Sequence, residues 1–296
     1  MFGGIILNKA NLTIIFQAFN TAFKKGLGLH ESQWQRIATL VPSSAKEEKY
    51  AWLGQWPRLR KWIGDRQIKS LSLSDYSIKN EPFEATVAIP KDDIEDDSYG
   101  VYSPLMEEMG SAANDHPDEL VFGLLGEGFT KPCFDGQFFF DTDHPVGDAS
   151  VSNMQAGAGA AWFLLSTRRA LKPIIFQRRK DYTFATMTSV DDEAVFMRKE
   201  FRYGIDARVN VGFGLWQTAF GSKATLDASN FEAAIVAGMS LETDEGRKLG
   251  IKYDLLVVGP GNFAAAKALI EKATLAGGED NTNYKAVELL VVPWLN

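Results

Sequence analysis

The short sequence DTDHP, residues 141–145, is the clearest candidate for metal chemistry in the chain. Asp141, Asp143 and His144 offer two carboxylates and an imidazole close together, and Zn²⁺ accepts both kinds of ligand. A turn before Pro145, in which the aspartates accept hydrogen bonds from backbone amides, explains the same residues. The two other histidines of the chain have no matching spacing. The turn is therefore the favoured interpretation, and no metal is predicted.

A second candidate is the acidic sequence KDDIEDD, residues 91–97. Oxygen ligands of this kind bind hard cations such as Ca²⁺, but the segment lacks the glycine and the spaced acceptors of an EF-hand loop. A solvated or ion-paired face is therefore favoured, with basic partners within the chain or on another chain. The acidic residues of this segment are Asp92, Asp93, Glu95, Asp96 and Asp97.

A strand, a glycine turn and a helix are predicted in succession over DLLVVGPGNFAAAKALI, residues 254–270. This order is the layout of a phosphate-binding loop. Only Gly259 and Gly261 are present, Pro260 removes one backbone amide, and no Walker lysine follows. The match is weak, so no nucleotide or other cofactor is predicted, and a nucleotide-binding enzyme stays an alternative.

The segment WLGQWPRLRKWIGDR, residues 52–66, mixes indole rings with guanidinium groups. Stacking rings among cations are typical of single-stranded nucleic-acid binding, and the rings could also pack a hairpin onto its own chain. Contact with another chain is the favoured interpretation, because Trp and Arg are enriched at interface hot spots. The candidate contact residues here are Trp52, Trp56, Arg58, Arg60, Trp62 and Arg66.

Composition limits the classes of function. The chain has 296 residues and a net charge of −7, which argues against a dedicated nucleic-acid binder, because such proteins neutralise phosphates with Lys and Arg. The single cysteine, Cys133, cannot form an intrachain disulfide, as expected of a reducing compartment. No Gly-x-Ser-x-Gly elbow and no convincing Cys/His pair are present, so no enzyme is predicted. No signal peptide or membrane span is recognisable, and synthesis is expected to leave the chain in the cytoplasm.

An amphipathic helix is predicted over residues 11–25, because its apolar residues recur at helical spacing. Asn11 is predicted to cap its start, and Gly26 to end it. So short an N-terminal helix is expected to be an arm that docks on other structure.

Further elements follow along the chain. The alternating segments IKSLSLSDYSI and FEATVAI predict a long antiparallel hairpin or loop. A second helix begins at Pro104, and Pro117 is expected to kink or restart it before it ends at Gly126. The remainder contains several strand patterns, among them AWFLLST, and two helical stretches that flank the buried strand YDLLVVG. The predicted class is mixed α+β.

Several stretches, in this order, resemble the Mu-like bacteriophage major head subunit (gpT) family. They are ATLVPSSAKEEKYAWLGQWPRLRKWIGDR, FEATVAIPKDDIEDDSYGVYSPLMEEMG, HPDELVFGLL, FDGQFFFDTDHPV, AWFLLSTRRALKPIIFQ, FRYGIDARVNVGFGLWQTAFGS and GIKYDLLVVGPGNFAAAKALI. They extend over nearly the whole chain, and their number and order carry the resemblance.

The resemblance implies the Hong Kong 97-type phage capsid fold, which has an N-terminal arm, an extended hairpin called the E-loop, a peripheral domain with a long spine helix, and an axial domain. The implied divisions of this chain are an arm at 1–47, an E-loop at 48–98, a peripheral domain at 99–205 with its spine helix at 104–126, an axial domain at 206–280, and a C-terminal strand at 281–296 that returns to the peripheral domain.

The resemblance also implies a major capsid protein that self-assembles into the icosahedral shell around phage double-stranded DNA. The expected partners are further copies in hexamers and pentamers, a separate scaffolding protein, a prohead protease, a portal protein and weakly contacted DNA, with no membrane. Assembly is expected in the host cytoplasm, and the protein is then expected in the virion. An encapsulin-like compartment of the same fold, which encloses protein cargo, is the alternative.

Overall fold

A computed structural model describes residues 8–53, 75–96, 99–189, 191–275 and 277–295. Helices occupy Lys9–Leu27 (α1), Lys91–Glu95 (α2), Ser103–Gly126 (α3), Glu193–Arg198 (α4), Ala228–Ser240 (α5) and Phe263–Ile270 (α6). Strands occupy Ala38–Pro42 (β1), Glu47–Lys49 (β2), Ser77–Lys79 (β3), Glu81–Pro90 (β4), His144–Val146 (β5), Ala149–Val151 (β6), Met154–Gln155 (β7), Trp162–Leu165 (β8), Ile174–Met187 (β9), Glu200–Phe213 (β10), Ala219–Ser222 (β11), Leu255–Val258 (β12) and Glu288–Val291 (β13). The predicted α+β class is confirmed.

The first sheet has the strand order β1-β9-β10-β4. The predicted strand FEATVAI lies within β4, which pairs antiparallel with β10, and β10 pairs antiparallel with β9. Along most of β10, buried residues alternate with half-buried ones, which is the pattern of a strand with one face on a core. The core on that face includes Ile15 and Phe19 of α1, Met106 of α3, and Phe201 and Tyr203 of β10. Helices α1 and α3 therefore cover this sheet.

Helices α1 and α3 cross at two glycines. A Cβ atom on Gly26 would lie 1.9 Å from the carbonyl oxygen of Glu107, and one on Gly110 would lie 2.1 Å from the carbonyl oxygen of Phe23. Only glycine allows backbones to approach this closely. The prediction that Gly26 ends α1 is therefore wrong, because this residue serves the crossing and the helix continues to Leu27.

The start of α1 also differs from the prediction. The helix begins at Lys9, and the side chain of Asn8 accepts a hydrogen bond from the amide of Asn11 at 2.9 Å. Asn8, not Asn11, is therefore the N-cap. Both residues are good caps in isolation, and in the structure the Asn8 side chain forms the capping hydrogen bond.

Helix α3 runs from Ser103 to Gly126 without a break at Pro117. The prediction of a restarted helix is wrong, although proline removes the amide that would donate to the carbonyl of Ala113 and costs about 3 kcal/mol in a helix interior. Packing offsets this cost, because Met106, Val121 and other apolar residues along the helix are buried.

The second sheet has the order β13-β12-β8-β11-β7. All four residues of β8 and all four of β12 are buried, as expected for strands covered on both faces. Both helical stretches predicted after β11 are present as α5 and α6. No helix of the described chain has the length and apolar character needed to cross a bilayer.

Strand pairing crosses two of the predicted domain boundaries. Strand β8 was placed in the peripheral segment 99–205, and β13 in a terminal strand returning to it, yet both pair with β12. Residues 162–165 and 288–291 therefore share a sheet with strands of the segment 206–280. The domain division stays a proposal, with these two strands assigned to the axial part.

The glycine crossing generates a stability prediction. Replacing Gly110 with Ala places a methyl group against the backbone of α1, so the two helices must separate, and we expect a loss of about 1–3 kcal/mol in unfolding free energy. Gly123→Ala is the matched control, because Gly123 lies in the same helix with nothing within 4 Å of its added Cβ, and alanine there gains about 0.5–1 kcal/mol.

Urea denaturation of the unassembled full-length chain measures both variants. Equal or higher stability of Gly110→Ala would show that the helices do not pack through this glycine.

Candidate inter-subunit contact site

The predicted contact segment is flanked by a short antiparallel pair of strands, β2 and β3. Glu47 lies opposite Lys79, and Lys49 lies opposite Ser77. Residues 54–74, between these two strands, lie outside the described residues. Five predicted contact residues fall there: Trp56, Arg58, Arg60, Trp62 and Arg66. The stretches that flank this segment therefore lie side by side. We call the stretch before residue 54 the incoming leg and the stretch after residue 74 the outgoing leg.

A buried hydrogen-bond network fixes both legs to the first sheet. Gln177 of β9 is fully buried, and its Oε1 accepts a hydrogen bond from the Tyr50 hydroxyl at 2.8 Å. Its Nε2 donates to the carbonyl of Ile78 at 2.9 Å and to Oδ1 of Asn80 at 3.0 Å. One glutamine thus bonds the incoming leg at Tyr50 and the outgoing leg at Ile78 and Asn80.

Asn80 extends the network to the chain before β2. Its Nδ2 donates to Ser43 Oγ at 2.8 Å and to the carbonyl of Ala45 at 2.9 Å. Burial raises the pKa of Tyr50 to about 12, so its hydroxyl remains a donor at neutral pH. Buried polar groups that are all paired favour a single geometry, and no local sequence pattern indicates this network.

Trp52 is the first predicted contact residue and lies within the described part of the chain. Its side chain is 46% exposed, and its ring meets Tyr50 edge-on at a centroid separation of 6.2 Å. A large indole ring with nearly half of its surface in solvent is a favourable anchor for a partner.

The acidic segment forms helix α2 and the residues after it. Lys91 Nζ lies 3.3 Å from Glu95 Oε1, and Asp93 accepts a hydrogen bond from the Tyr102 hydroxyl, which raises the pKa of Tyr102. Asp92 and Asp96 are exposed and four residues apart, so they lie on one face. Asp97 lies outside the described residues. Some carboxylates thus pair within the chain, and the Asp92–Asp96 face stays in solvent.

The structure brings His144 together with two residues other than those predicted. Its Nδ1 lies 2.8 Å from Asp135 Oδ2, and Cys133 Sγ donates to Asp135 Oδ1 at 3.1 Å. The His144 ring is fully buried and stacks on Trp216 at 4.0 Å. Hydrogen bonds from His144 and Cys133 lower the pKa of Asp135 although burial opposes them. Sequence reasoning missed this cluster because Cys133 and Asp135 precede His144 across a loop.

The geometry of the Cys133, Asp135 and His144 cluster fits a hydrogen-bonded group better than a metal site. Their candidate ligand atoms lie within 4.8 Å of one another. A metal-ligating histidine normally donates its other ring N–H to an acceptor, and Nε2 of His144 is buried with no partner among the described residues. Burial raises the pKa of the Cys133 thiol, which disfavours the thiolate that a metal requires.

Of the two aspartates weighed as ligands and assigned to a turn, Asp141 accepts hydrogen bonds from backbone amides, whereas Asp143 accepts a hydrogen bond from the Gln137 side chain at 3.4 Å. Asp141 accepts hydrogen bonds from the amides of Phe138 at 3.2 Å and Thr142 at 2.7 Å. The turn interpretation of DTDHP accounts for these contacts.

The glycine turn predicted after β12 is present, but its glycine has a packing role. A Cβ atom on Gly259 would lie 2.2 Å from the carbonyl oxygen of Leu295, so glycine allows the C-terminal segment to pass closely. The side chain of Asn262 donates to the carbonyl of Ala160 at 2.8 Å. The turn is thus explained by contacts with its own chain.

Comparison with known proteins identifies the family of this chain. A family model described as the Mu-like prophage major head subunit gpT matches residues 12–295. The chain belongs to this family. It is 44% identical over 292 residues to the Mu-like prophage FluMu major head subunit of Haemophilus influenzae, with coverage of 94% of this chain and 95% of that protein. It is 38% identical over 305 residues to the major capsid protein of Escherichia phage Mu, with coverage of 98% and 100%.

Solved phage capsids have a similar structure. A chain of the bacteriophage JBD30 procapsid matches with a TM-score of 0.87 and 46% identity over 98% of this chain and all of that chain. The JBD30 capsid matches with a TM-score of 0.80 and 34% identity over 99% of this chain and all of that chain. This chain therefore has the Hong Kong 97-type capsid fold, and its predicted function as a major capsid protein is confirmed.

The network at the hairpin base generates a second prediction. Tyr50→Phe removes the hydroxyl and leaves Gln177 Oε1 buried without a donor, which should lower the unfolding free energy by about 1–3 kcal/mol. Hydrogen exchange should also become faster in β2 and β3. Tyr284→Phe is the control, because Tyr284 is 39% exposed and its hydroxyl can bond water.

Denaturant unfolding and hydrogen exchange of the unassembled chain measure these effects. If β2 and β3 exchange at the wild-type rate in Tyr50→Phe, the network does not hold the hairpin base.

Proposed function

We propose that copies of this chain assemble into a closed icosahedral shell around double-stranded phage DNA, held by contacts that the segment between β2 and β3 makes with neighbouring copies. The observation that carries the proposal is the likeness to the JBD30 procapsid and capsid chains over nearly the whole length of this chain. A closed shell requires heterologous contacts, in which two different surfaces of each copy meet. The projecting segment and the acidic face supply two such surfaces.

The proposed contact is apolar at its centre and charged around it. The rings of Trp52, Trp56 and Trp62 bury against an adjacent subunit. Arg58, Arg60 and Arg66 pair with the acidic segment 91–97, chiefly at its exposed residues Asp92 and Asp96, while Asp93, Glu95 and Asp97 add negative charge beside them. This division follows the usual anatomy of interfaces, in which aromatic anchors are surrounded by polar residues.

The fixed base and the long segment have complementary roles in this proposal. The base sets the direction in which the segment leaves the subunit, and its length allows contact at more than one angle between neighbours. One sequence can then serve both hexamers and pentamers. Each contact is weak by itself, and many of them act together in the shell.

The proposed assembly takes place in the host cytoplasm, uses a separate scaffolding protein, a prohead protease and a portal protein, and has no catalytic step carried out by this chain. A solved structure of the JBD30 capsid is decorated with minor capsid protein trimers, and we propose that this chain accepts comparable further proteins. DNA inside the shell is contacted weakly, in keeping with the net charge of −7.

The contact proposal predicts the outcome of two substitutions in a co-expression assembly assay. Trp56→Ala removes a buried anchor and Arg60→Glu sets like charges against the acidic face, so closed particles should be reduced at least tenfold or melt at lower temperature. Tyr284→Ala and Lys24→Glu are the controls for ring loss and charge reversal. Arg60→Glu should be partly rescued by Asp96→Lys, which restores opposite charges.

Negative-stain microscopy and particle melting provide the measurements. Closed particles of unchanged heat stability in both Trp56→Ala and Arg60→Glu would overturn the contact proposal.

A further inference from the structure

A cleft of about 920 Å³ opens at one edge of the second sheet. Strand β8 is antiparallel to β12, and β13 is parallel to β12. The end of β8 therefore meets the starts of β12 and β13 at the same edge. The loops at this edge carry most of the side chains that line the cleft, and the turn at Trp34–Arg36 adds one more.

Cations outnumber carboxylates in this cleft. The cations are Arg36, Arg168, Arg169, Lys252 and Lys285, and the carboxylates are Asp254, Glu271 and Glu288. The surplus is positive, whereas the whole chain has a net charge of −7.

Each carboxylate of the cleft already has a donor. Asp254 accepts hydrogen bonds from the Thr167 amide and hydroxyl, both at 2.7 Å. Glu288 pairs with Arg36 at 2.7 Å, and Glu271 lies 3.6 Å from a lysine one helical turn earlier. The negative charge of the cleft is thus largely committed.

Three of the cations are exposed at the surface of the cleft. The Arg168 side chain is 78% exposed, and its Nε lies 3.5 Å from the Asp254 carboxylate. Lys252 and Lys285 are exposed, and within the described parts of the chain neither forms an ion pair with a carboxylate. Lys285 instead lies over the Tyr284 ring, 5.0 Å from its centroid. An outside anion would gain from Lys252 and Lys285 without displacing an ion pair formed by the described residues, and it would share Arg168 with Asp254.

The lining favours a phosphate backbone over a protein partner. Protein interfaces usually centre on exposed aromatic or large apolar anchors, and none of the large apolar side chains lining this cleft is exposed. Nucleic-acid phosphates require only positive charge and impose no sequence. Arginine and lysine side chains together provide that charge.

We propose that this cleft is the place where the shell protein contacts phosphate groups of packaged DNA. The inference rests on the proposed function, in which the chain encloses double-stranded DNA. Only a few cations of each subunit take part, so each subunit binds DNA weakly and in a salt-sensitive way. DNA can therefore still enter and leave the shell.

Salt-dependent binding tests the inference. The full-length unassembled chain is titrated against a fluorescent 20-base-pair duplex between 50 and 200 mM salt, and the slope of log affinity against log salt is compared. Lys252→Gln combined with Lys285→Gln should reduce the magnitude of this slope by about 2, since each phosphate contact contributes about 0.9. Lys9→Gln with Lys24→Gln is the control, with the same change in net charge on α1, and should leave the slope unchanged.

Further arms separate the sources of the anion and the two proposals. Excess inorganic phosphate should compete with the duplex, and a polyglutamate peptide should compete only at much higher concentration; an equal effect of the peptide would overturn the phosphate assignment. The cleft variant should still form closed particles on co-expression. An unchanged slope would overturn the inference while the shell function stands, and failure to form particles with a wild-type slope would overturn it by assigning the cleft to a subunit contact.

Discussion

The buried side-chain amide of Gln177 is the interaction that holds the residues on both sides of 54–74 to the first sheet. It bonds Tyr50 on the incoming leg and Ile78 and Asn80 on the outgoing leg, so one side chain near the start of β9 fixes the position of both legs. A buried amide that loses a partner costs free energy, and the network therefore resists rearrangement.

Close helix packing makes the rest of the subunit rigid. The contact of Gly26 with Gly110 packs α1 closely against α3. Both helices cover the sheet that carries Gln177. Two charged surfaces lie on this body: an acidic face at α2, and a cationic cleft at the edge of the second sheet. The chain as a whole has a net charge of −7, yet its surface carries two local regions of opposite charge.

Elements whose signal lies within a few residues could be predicted from the sequence. The strand within FEATVAI, the helix from Ser103 to Gly126 and the turn at Asp141 all follow from local spacing. Contacts between distant residues could not be predicted. Nothing near Gln177 indicates Tyr50, 127 positions away, and nothing near Gly26 indicates the helix that crosses it. Pro117 misled the prediction for the same reason, because tertiary packing outweighs a local propensity. The pairing of β8 with β12 likewise depends on the whole sheet.

In the proposed shell, Trp56 and Trp62 are buried only by neighbouring subunits. Oxidative footprinting, read by mass spectrometry at Trp56 and Trp62, tests it most directly when unassembled chains and closed shells are compared, with Trp294 as an internal reference. The account predicts that oxidation of Trp56 and Trp62 falls at least fivefold on assembly while Trp294 changes little by comparison. Equal oxidation of Trp56 and Trp62 in the two states would contradict it.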